Sequence, residues 1–214
     1  MLLALEKLNN TPYKMPMLRK FILSNFCVGL LRGLLYRLDR VRFGYPKWHC
    51  SPINHKPYAI SIVETIERMI KAKIVRNGYI VEVGCGRGDI IGNLQYDKKI
   101  GLDIDATIIR AASFYHPDME FLVGGIGDIP VPNIDVLRLV NILAGFSPET
   151  VHGWIEPILG KPNIIVIDKV EGYKYVHDGT YLFDSQYKMF LKSEKFKASH
   201  ESARYIEYWI KHDI

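Results

Sequence analysis

Three glycines separated by single residues follow a short apolar run in VEVGCGRGD, residues 81–89. A glycine-rich turn after a buried strand brings backbone N–H groups close to a nucleotide-like ligand. Dinucleotide sites use Gly-x-Gly-x-x-Gly, which would require glycine at position 89, where this chain has Asp89. Because an acid at that place repels a pyrophosphate, the spacing argues against NAD and FAD. For any one of the glycines, a tight turn with positive φ is the alternative explanation.

The complete pattern is Glu-x-Gly-x-Gly-x-Gly, formed by Glu82, Gly84, Gly86 and Gly88. It resembles the signature loop of class I S-adenosylmethionine-dependent methyltransferases. This resemblance covers roughly residues 58–214 and implies S-adenosylmethionine as the cofactor. It also implies that Glu82 offsets the positive amine of the cofactor's amino-acid moiety.

Two later acids agree with the resemblance. The expected second strand ends in GLDID, residues 101–105, where the family typically has an acid whose two oxygens accept the ribose hydroxyls. Asp103 matches this acid, and Asp105 is the alternative. Asp128 in GDIP matches the acid that accepts the adenine amino group. The apolar side chain of Ile129, or that of Ile126, is expected against the purine face.

The elements that position these residues alternate along the chain. Apolar, β-branched runs alternate with segments of helical apolar spacing, which predicts a Rossmann-like, mostly parallel, seven-stranded sheet with helices on both faces. The expected strands are 79–84, 98–105, 119–126, 134–143 and 163–170, and the expected helices are 59–74, 106–115 and 147–159. The spacing in 134–143 would also allow a helix. A helix is also expected to begin at DIIGNLQ, and KFKASH and ARYIEYWIKH are expected to close the sheet as an antiparallel pair.

Ligands of open parallel sheets bind outside the carboxyl ends of the strands. Asn141, after the fourth strand, is therefore expected beside the cofactor, and Asp168, at the end of the fifth, is a candidate general base. His49 and His55 are further candidate bases or phosphate contacts. Their segment could instead pack as a connector or hold a metal together with Cys50, but the spacing fits no metal motif and no metal site is predicted.

Positive charge is concentrated at the beginning of the chain. Residues 1–60 contain ten Lys/Arg and two Asp/Glu, a net charge of +8, whereas the other 154 residues contain 18 and 21, a net charge of −3. We interpret residues 1–57 as a basic helical extension and 58–214 as the methyltransferase domain. The extension suits a phosphate-bearing substrate, a nucleic acid or an acidic membrane surface, or it is a solvated helix face.

The extension is expected to be helical from about residue 17 to 40 and to cover the acceptor side of the pocket over residues 17–58. Its apolar stretch 21–36 is too short to span a bilayer easily and is interrupted by Arg32. A helical lid and a peripheral membrane contact through residues 17–40 are both compatible with it. Three cysteines without a disulfide pattern indicate a reducing, cytoplasmic compartment.

Two motifs that the sequence lacks restrict the chemical class of the methyl acceptor. No Asn/Asp-Pro-Pro-aromatic element follows the fourth strand, and no cysteine follows Cys85, which argues against methylation of nucleic-acid bases. The expected function is in-line O-methylation of a small-molecule, sugar or phosphate-bearing acceptor. The chain also resembles, more faintly, small bacterial methyltransferases that modify surface polysaccharides. The alternatives are an RNA methyltransferase that uses the basic segment and a non-catalytic S-adenosylmethionine-binding module.

Overall fold

The computed structural model describes residue 34 and residues 37–47, 53–177, 179–183, 186–197 and 203–212. Eight strands form one sheet in this part of the chain: β1 (Tyr79–Val83), β2 (Lys99–Asp103), β3 (Glu120–Val123), β4 (Ile134–Leu139), β5 (Pro162–Val170), β6 (Tyr187–Lys192), β7 (Phe196–Lys197) and β8 (Ala203–Lys211). The helices after residue 50 are α1 (Pro57–Lys71), α2 (Ala106–Tyr115), α3 (Pro148–Ile155) and α4 (Gly179–Phe183). Residues 37–43 are also helical. No helix among the described residues is long and apolar enough to cross a membrane.

The strand order is β3-β2-β1-β4-β5-β8-β6, and β7 pairs with β8. Strands β1 to β5 are parallel, and β8 joins β5, β6 and β7 by antiparallel pairing. The predicted Rossmann-like, mostly parallel sheet is therefore confirmed, but the predicted number of seven strands is one too small. The additional strand is β6, which pairs with β8 at the end of the sheet, whereas the expected antiparallel pair corresponds to β7 and β8.

The sheet has an apolar core on each face, because its central strands are buried on both sides. All six residues of β4 are buried. On one face, Ile62 and Ile66 of α1 belong to a cluster with Val136 of β4. On the other face, Val151 of α3 belongs to a cluster with Leu137 of β4. The site is thus built on a rigid sheet between two helical layers.

Local signals explain where the helices begin. Pro57 occupies the first turn of α1, where its missing N–H costs no hydrogen bond. The carboxylate of Asp105 accepts from the N–H of Thr107 and caps α2. The hydroxyl of Ser147 accepts from the N–H of Thr150 and caps α3. Each start lies on the side of the sheet where the parallel strands end.

The helix expected to begin at DIIGNLQ is not formed; only a short 3-10 turn covers Ile91–Asn93. The position of this turn in the chain explains why no helix forms there. Only five residues, 94–98, separate this turn from β2. At Gly92, an added Cβ would lie 2.3 Å from a ring carbon of His116, so a larger residue does not fit there.

Candidate functional site

A pocket of about 1130 Å³ opens where the parallel strands end. Its wall includes the loop after β1, the residues after β2, the loop after β3 and the residues after β4. Another wall is formed at the start of α1 by Ile53, Lys56, Tyr58 and Ala59. This is the location predicted for a ligand of an open parallel sheet.

The glycine loop has left-handed backbone at each of its three glycines. The φ angles are +68° at Gly84, +55° at Gly86 and +74° at Gly88, which residues with a Cβ rarely adopt. Space is also restricted, because an added Cβ would lie 2.9 Å from Ile142 at Gly84 and 2.7 Å from Phe121 at Gly88. Gly84 and Gly86 line the pocket, whereas Gly88 contributes to the packing beneath it. The loop therefore presents bare backbone to the cavity.

Glu82 connects the residue before the glycine loop to the residues that follow the loop. Its Oε2 accepts a hydrogen bond of 3.0 Å from the N–H of Ile91, and its Oε1 pairs with Nη1 of Arg138. Burial raises the pKa of Glu82 from 4.5 to about 7, and the Arg138 guanidinium opposes this rise. Because Glu82 and Arg138 are paired residues of β1 and β4, the sheet register itself brings these two charges together.

Asp103 connects the end of β2 to the same loop. Its Oδ2 accepts from the N–H of Gly86 at 2.9 Å, and its Oδ1 accepts from the N–H of Asp105 at 3.0 Å. The carboxylate is buried but lines the pocket. Each carboxylate oxygen has two lone pairs, so the two backbone contacts leave acceptor capacity for a diol. These contacts also fix the direction in which the carboxylate points.

A polar network lies on the far side of the loop, at the ends of β4 and β5. The N–H of Asn141 donates to Oδ1 of Asp168 at 3.0 Å, and its side-chain amide donates to the hydroxyl of Tyr58 at 3.1 Å. Arg204 of β8 pairs with Asp168 at 3.5 Å, donates to Oδ1 of Asn141, and stacks over the Tyr58 ring at 4.4 Å. Asn141 has a φ of +68°, which turns the chain sharply after β4.

Neither a protein-family model nor a curated protein matches this sequence. Solved structures do match. Magnesium protoporphyrin IX methyltransferase (ChlM) from Synechocystis PCC 6803 with bound SAM has 13% sequence identity and a TM-score of 0.60, over 94% of this chain and 100% of that chain. A TehB-like SAM-dependent methyltransferase from Corynebacterium glutamicum has 19% identity and a TM-score of 0.52, over 68% and 86%. The N-methyltransferase NodS from Bradyrhizobium japonicum with SAH has 11% identity and a TM-score of 0.54, over 70% and 88%.

The fold is that of the S-adenosylmethionine-dependent methyltransferases. The predicted resemblance to class I methyltransferases is thereby confirmed at the level of the fold. The glycine loop and Asp103 lie at the carboxyl edge of this methyltransferase fold, as the resemblance implied.

Several predicted cofactor residues meet in the pocket and others lie outside it. Glu82, Gly84, Gly86, Asp103 and Asn141 line it. The structure places Gly88, Asp128 and Ile129 outside the lining. The exposed Asp128 carboxylate accepts from the N–H of Gly125 at 2.8 Å, and Ile129 packs on the core cluster beside α3. Of the two isoleucines considered for the purine face, Ile126 lines the cavity.

The three candidate bases differ in their surroundings. His49 lies outside the described residues. His55 is exposed and is not part of the pocket lining. Asp168 is buried beneath Asn141, with only 1% of its side chain exposed. Burial raises the pKa of Asp168, and Arg204 opposes the rise. Asp168 therefore supports the position of Asn141 and Arg204 through the contacts it makes.

Sequence reasoning did not identify Ile104, which lines the pocket with 83% of its surface exposed. An exposed isoleucine directly after the buried Asp103 offers a flat apolar surface beside the acid. Cys85 also lines the pocket, but burial raises the pKa of its thiol and keeps it protonated. The signal for Ile104 was its place in GLDID, an apolar residue between two acids.

The N-terminal segment 37–47 contacts the glycine loop through Arg87. The Arg87 guanidinium pairs with the buried Asp39 at 3.4 Å, donates to the Tyr45 hydroxyl at 3.4 Å and stacks over the Tyr115 ring at 4.3 Å. Arg87 also lines the pocket. This part of the extension thus packs against α2 and the glycine loop. That residues 17–58 cover the acceptor side stays a prediction, since residues 17–33, 35–36 and 48–52 lie outside the described part.

Proposed function

We propose that this protein is an S-adenosylmethionine-dependent methyltransferase acting on an oxygen of a small-molecule, sugar or phosphate-bearing acceptor. The observation that carries the proposal is the contact between the glycine loop and Asp103. The N–H of Gly86 donates to the carboxylate at the end of β2, which joins the loop to an acid with acceptor capacity for a ribose diol. The fold of this chain, shared with ChlM and NodS, supports the same conclusion.

The chemistry of the lining fits this cofactor. Acids surround the loop end, where Glu82, Asp89 and Asp103 line the cavity. A positive amine or sulfonium is stabilised by such surroundings, whereas a pyrophosphate is repelled. Ile104 and Ile126 provide apolar surface next to Asp103, which suits the face of a purine. The lining therefore favours S-adenosylmethionine over a dinucleotide.

When bound, S-adenosylmethionine supplies an activated methyl group. In this proposal the backbone around Gly84 and Gly86 holds the amino-acid moiety, assisted by Glu82, and Asp103 holds the ribose. Ile104 and Ile126 hold the purine, and Asp128 remains the predicted acceptor for its amino group. The chain's contribution to the reaction is alignment and exclusion of water.

The surroundings of the candidate bases favour an anionic acceptor. No histidine among the described residues lines the pocket, and Asp168 is already held by Asn141 and Arg204. A hydroxyl acceptor needs a general base, whereas a phosphate or carboxylate is ionised at neutral pH and does not. Lys56 in the pocket wall can pair with such an anion. We therefore favour a phosphate- or carboxylate-bearing acceptor, which includes phosphorylated sugars.

Two measurements test the two halves of the proposal. Titration calorimetry with S-adenosylhomocysteine, with NAD as the comparison ligand, tests the cofactor; equal binding of NAD would overturn it. Formation of S-adenosylhomocysteine is then followed with phosphate monoesters, carboxylates, neutral sugars and RNA as acceptors. Turnover with the anionic small molecules supports the acceptor class. Turnover with neutral sugars alone would overturn the proposal that the acceptor is ionised. Turnover with RNA alone would show that the protein is an RNA methyltransferase.

A further inference from the structure

The helical residues 37–43 have one face against the domain and one face exposed. Asp39 is buried and Phe43 is half-buried against the domain. Leu38 and Val41 have exposed fractions of 57% and 85%. With 3.6 residues per turn, Leu38 and Val41 lie on the side of the helix opposite Asp39 and Phe43. The exposed side is therefore apolar, the reverse of an ordinary surface helix.

This apolar side extends towards the beginning of the chain. Leu34 is helical and 53% exposed, and positions 34, 38 and 41 have the spacing of one helix face. We call the three side chains Leu34, Leu38 and Val41 the outer face. In the sequence, Leu23, Cys27 and Leu30 continue the same spacing upstream.

Arginines border the outer face. Arg37 and Arg40 are exposed along one edge of the helix, and Arg42 is exposed along the other. Arg42 stacks over the ring of Phe114 at 4.4 Å, so its charge is held near the border. An apolar strip between cations is the arrangement of helices that lie in the interface of an anionic membrane.

We infer that the outer face and its arginines form a docking surface for an anionic phospholipid membrane. Charge complementarity selects this occupant. A second copy of the chain placed on the same face would bring Arg37 and Arg40 against the same arginines and would be repelled. A membrane instead accepts the apolar side chains among its acyl chains and pairs the guanidinium groups with phosphate headgroups. The net charge of +8 over residues 1–60 acts in the same direction.

The docked face is linked to the candidate site by the other side of the same helix. Asp39 pairs with Arg87, and Arg87 lines the pocket. Docking would therefore hold the glycine loop close to the membrane surface. The inference concerns membrane contact and does not depend on the identity of the cofactor.

Vesicle flotation with the full chain tests the inference. The wild-type protein should float with vesicles of phosphatidylcholine and phosphatidylglycerol, less with phosphatidylcholine alone, and less again as salt is raised. The variant L38E/V41E should bind the anionic vesicles at least tenfold more weakly, because two charges replace the apolar contact. Arg37→Gln and Arg40→Gln should each weaken binding by about fivefold.

The matched control is Met189→Glu, which places a charge at a 42% exposed methionine on β6, at the opposite end of the sheet from β3, against which α2 packs. It should bind vesicles as the wild type does, and unchanged thermal unfolding of all variants shows that they are folded. The inference is overturned if the wild type does not float, or if L38E/V41E floats equally well. A third outcome would also overturn the inference. If the wild type binds no vesicles but forms a dimer in sedimentation velocity, and L38E/V41E is a monomer, the outer face joins two copies of the chain.

Discussion

Replacing Arg138 by methionine should leave the Glu82 carboxylate buried without its counter-charge. The two residues are 3% and 2% exposed and are register partners on β4 and β1. Even with Arg138 present, burial raises the pKa of Glu82 from 4.5 to about 7, which corresponds to roughly 3 kcal/mol. Removing one partner of a buried ion pair costs about 3–5 kcal/mol. We expect R138M to lose this amount of unfolding free energy at pH 8.

The loss should depend on pH, because a protonated Glu82 needs no counter-charge. The pKa of Glu82 is higher in the folded protein than in the unfolded chain, so its protonation stabilises the fold. This contribution is complete below about pH 4.5 and is lost as the pH rises through about 7. Without Arg138 the pKa rises further, and the loss of stability then continues above pH 7. Urea unfolding from pH 5.5 to 8.5 should therefore show a gap between the two proteins that widens with pH.

The double variant E82Q/R138M separates charge from packing. Glutamine keeps an oxygen for the N–H of Ile91 and leaves no unpaired charge, so we expect it to recover about 2 kcal/mol of the loss. Arg76→Met removes an exposed guanidinium and should change stability by no more than about 0.5 kcal/mol. A gap that is constant with pH, or a double variant no more stable than R138M, would refute the reasoning.

Three other predictions concern the pocket and its surroundings. Ile104→Ala should weaken S-adenosylhomocysteine binding by about 1–2 kcal/mol in calorimetry, because the purine would then bury less apolar surface than it buries on the exposed isoleucine. Gly88→Ala should lower the free energy of unfolding by about 1–3 kcal/mol, since φ is +74° and the new Cβ would lie 2.7 Å from Phe121; an unchanged urea midpoint would contradict this. Asp39→Asn should speed amide hydrogen exchange in residues 37–47, because it weakens the ion pair with Arg87. Exchange at the wild-type rate would show that this ion pair does not hold the segment against the domain.

Much of the fold could be predicted because its signals are local. The strands β1 to β5 are short apolar runs, and α2 occupies the predicted residues 106–115. The carboxyl-end location of Glu82 and Asp103 follows from the same alternation. Strand β6 was not predicted, because it lies at the end of the sheet and its residues Lys188 and Met189 are exposed, so it shows no continuous apolar run.

The parts of the site that depend on distant pairing could not be predicted. Arg138 is a charged residue inside the apolar strand β4, and its partner Glu82 is brought to it only by the sheet register. The contact of Asp39 with Arg87 joins the extension to the glycine loop in the same way. Asp168 was expected at the site as a base from its place at a strand end. Its burial beneath Asn141 depends on how β5, β8 and α1 pack, which no local pattern reveals.

The central claim, that Asp103 and the glycine loop bind S-adenosylmethionine, is tested most directly by titration calorimetry with S-adenosylhomocysteine. The protein is compared with Asp103→Ala and with Asp118→Ala, which removes an exposed acid elsewhere on the surface. We predict that the wild type and the Asp118 variant bind equally. The Asp103 variant should lose about 1.5–3 kcal/mol, roughly 10- to 150-fold in affinity, through lost hydrogen bonds to the charged carboxylate. Equal affinity of all three proteins, or no binding by the wild type, would contradict the account.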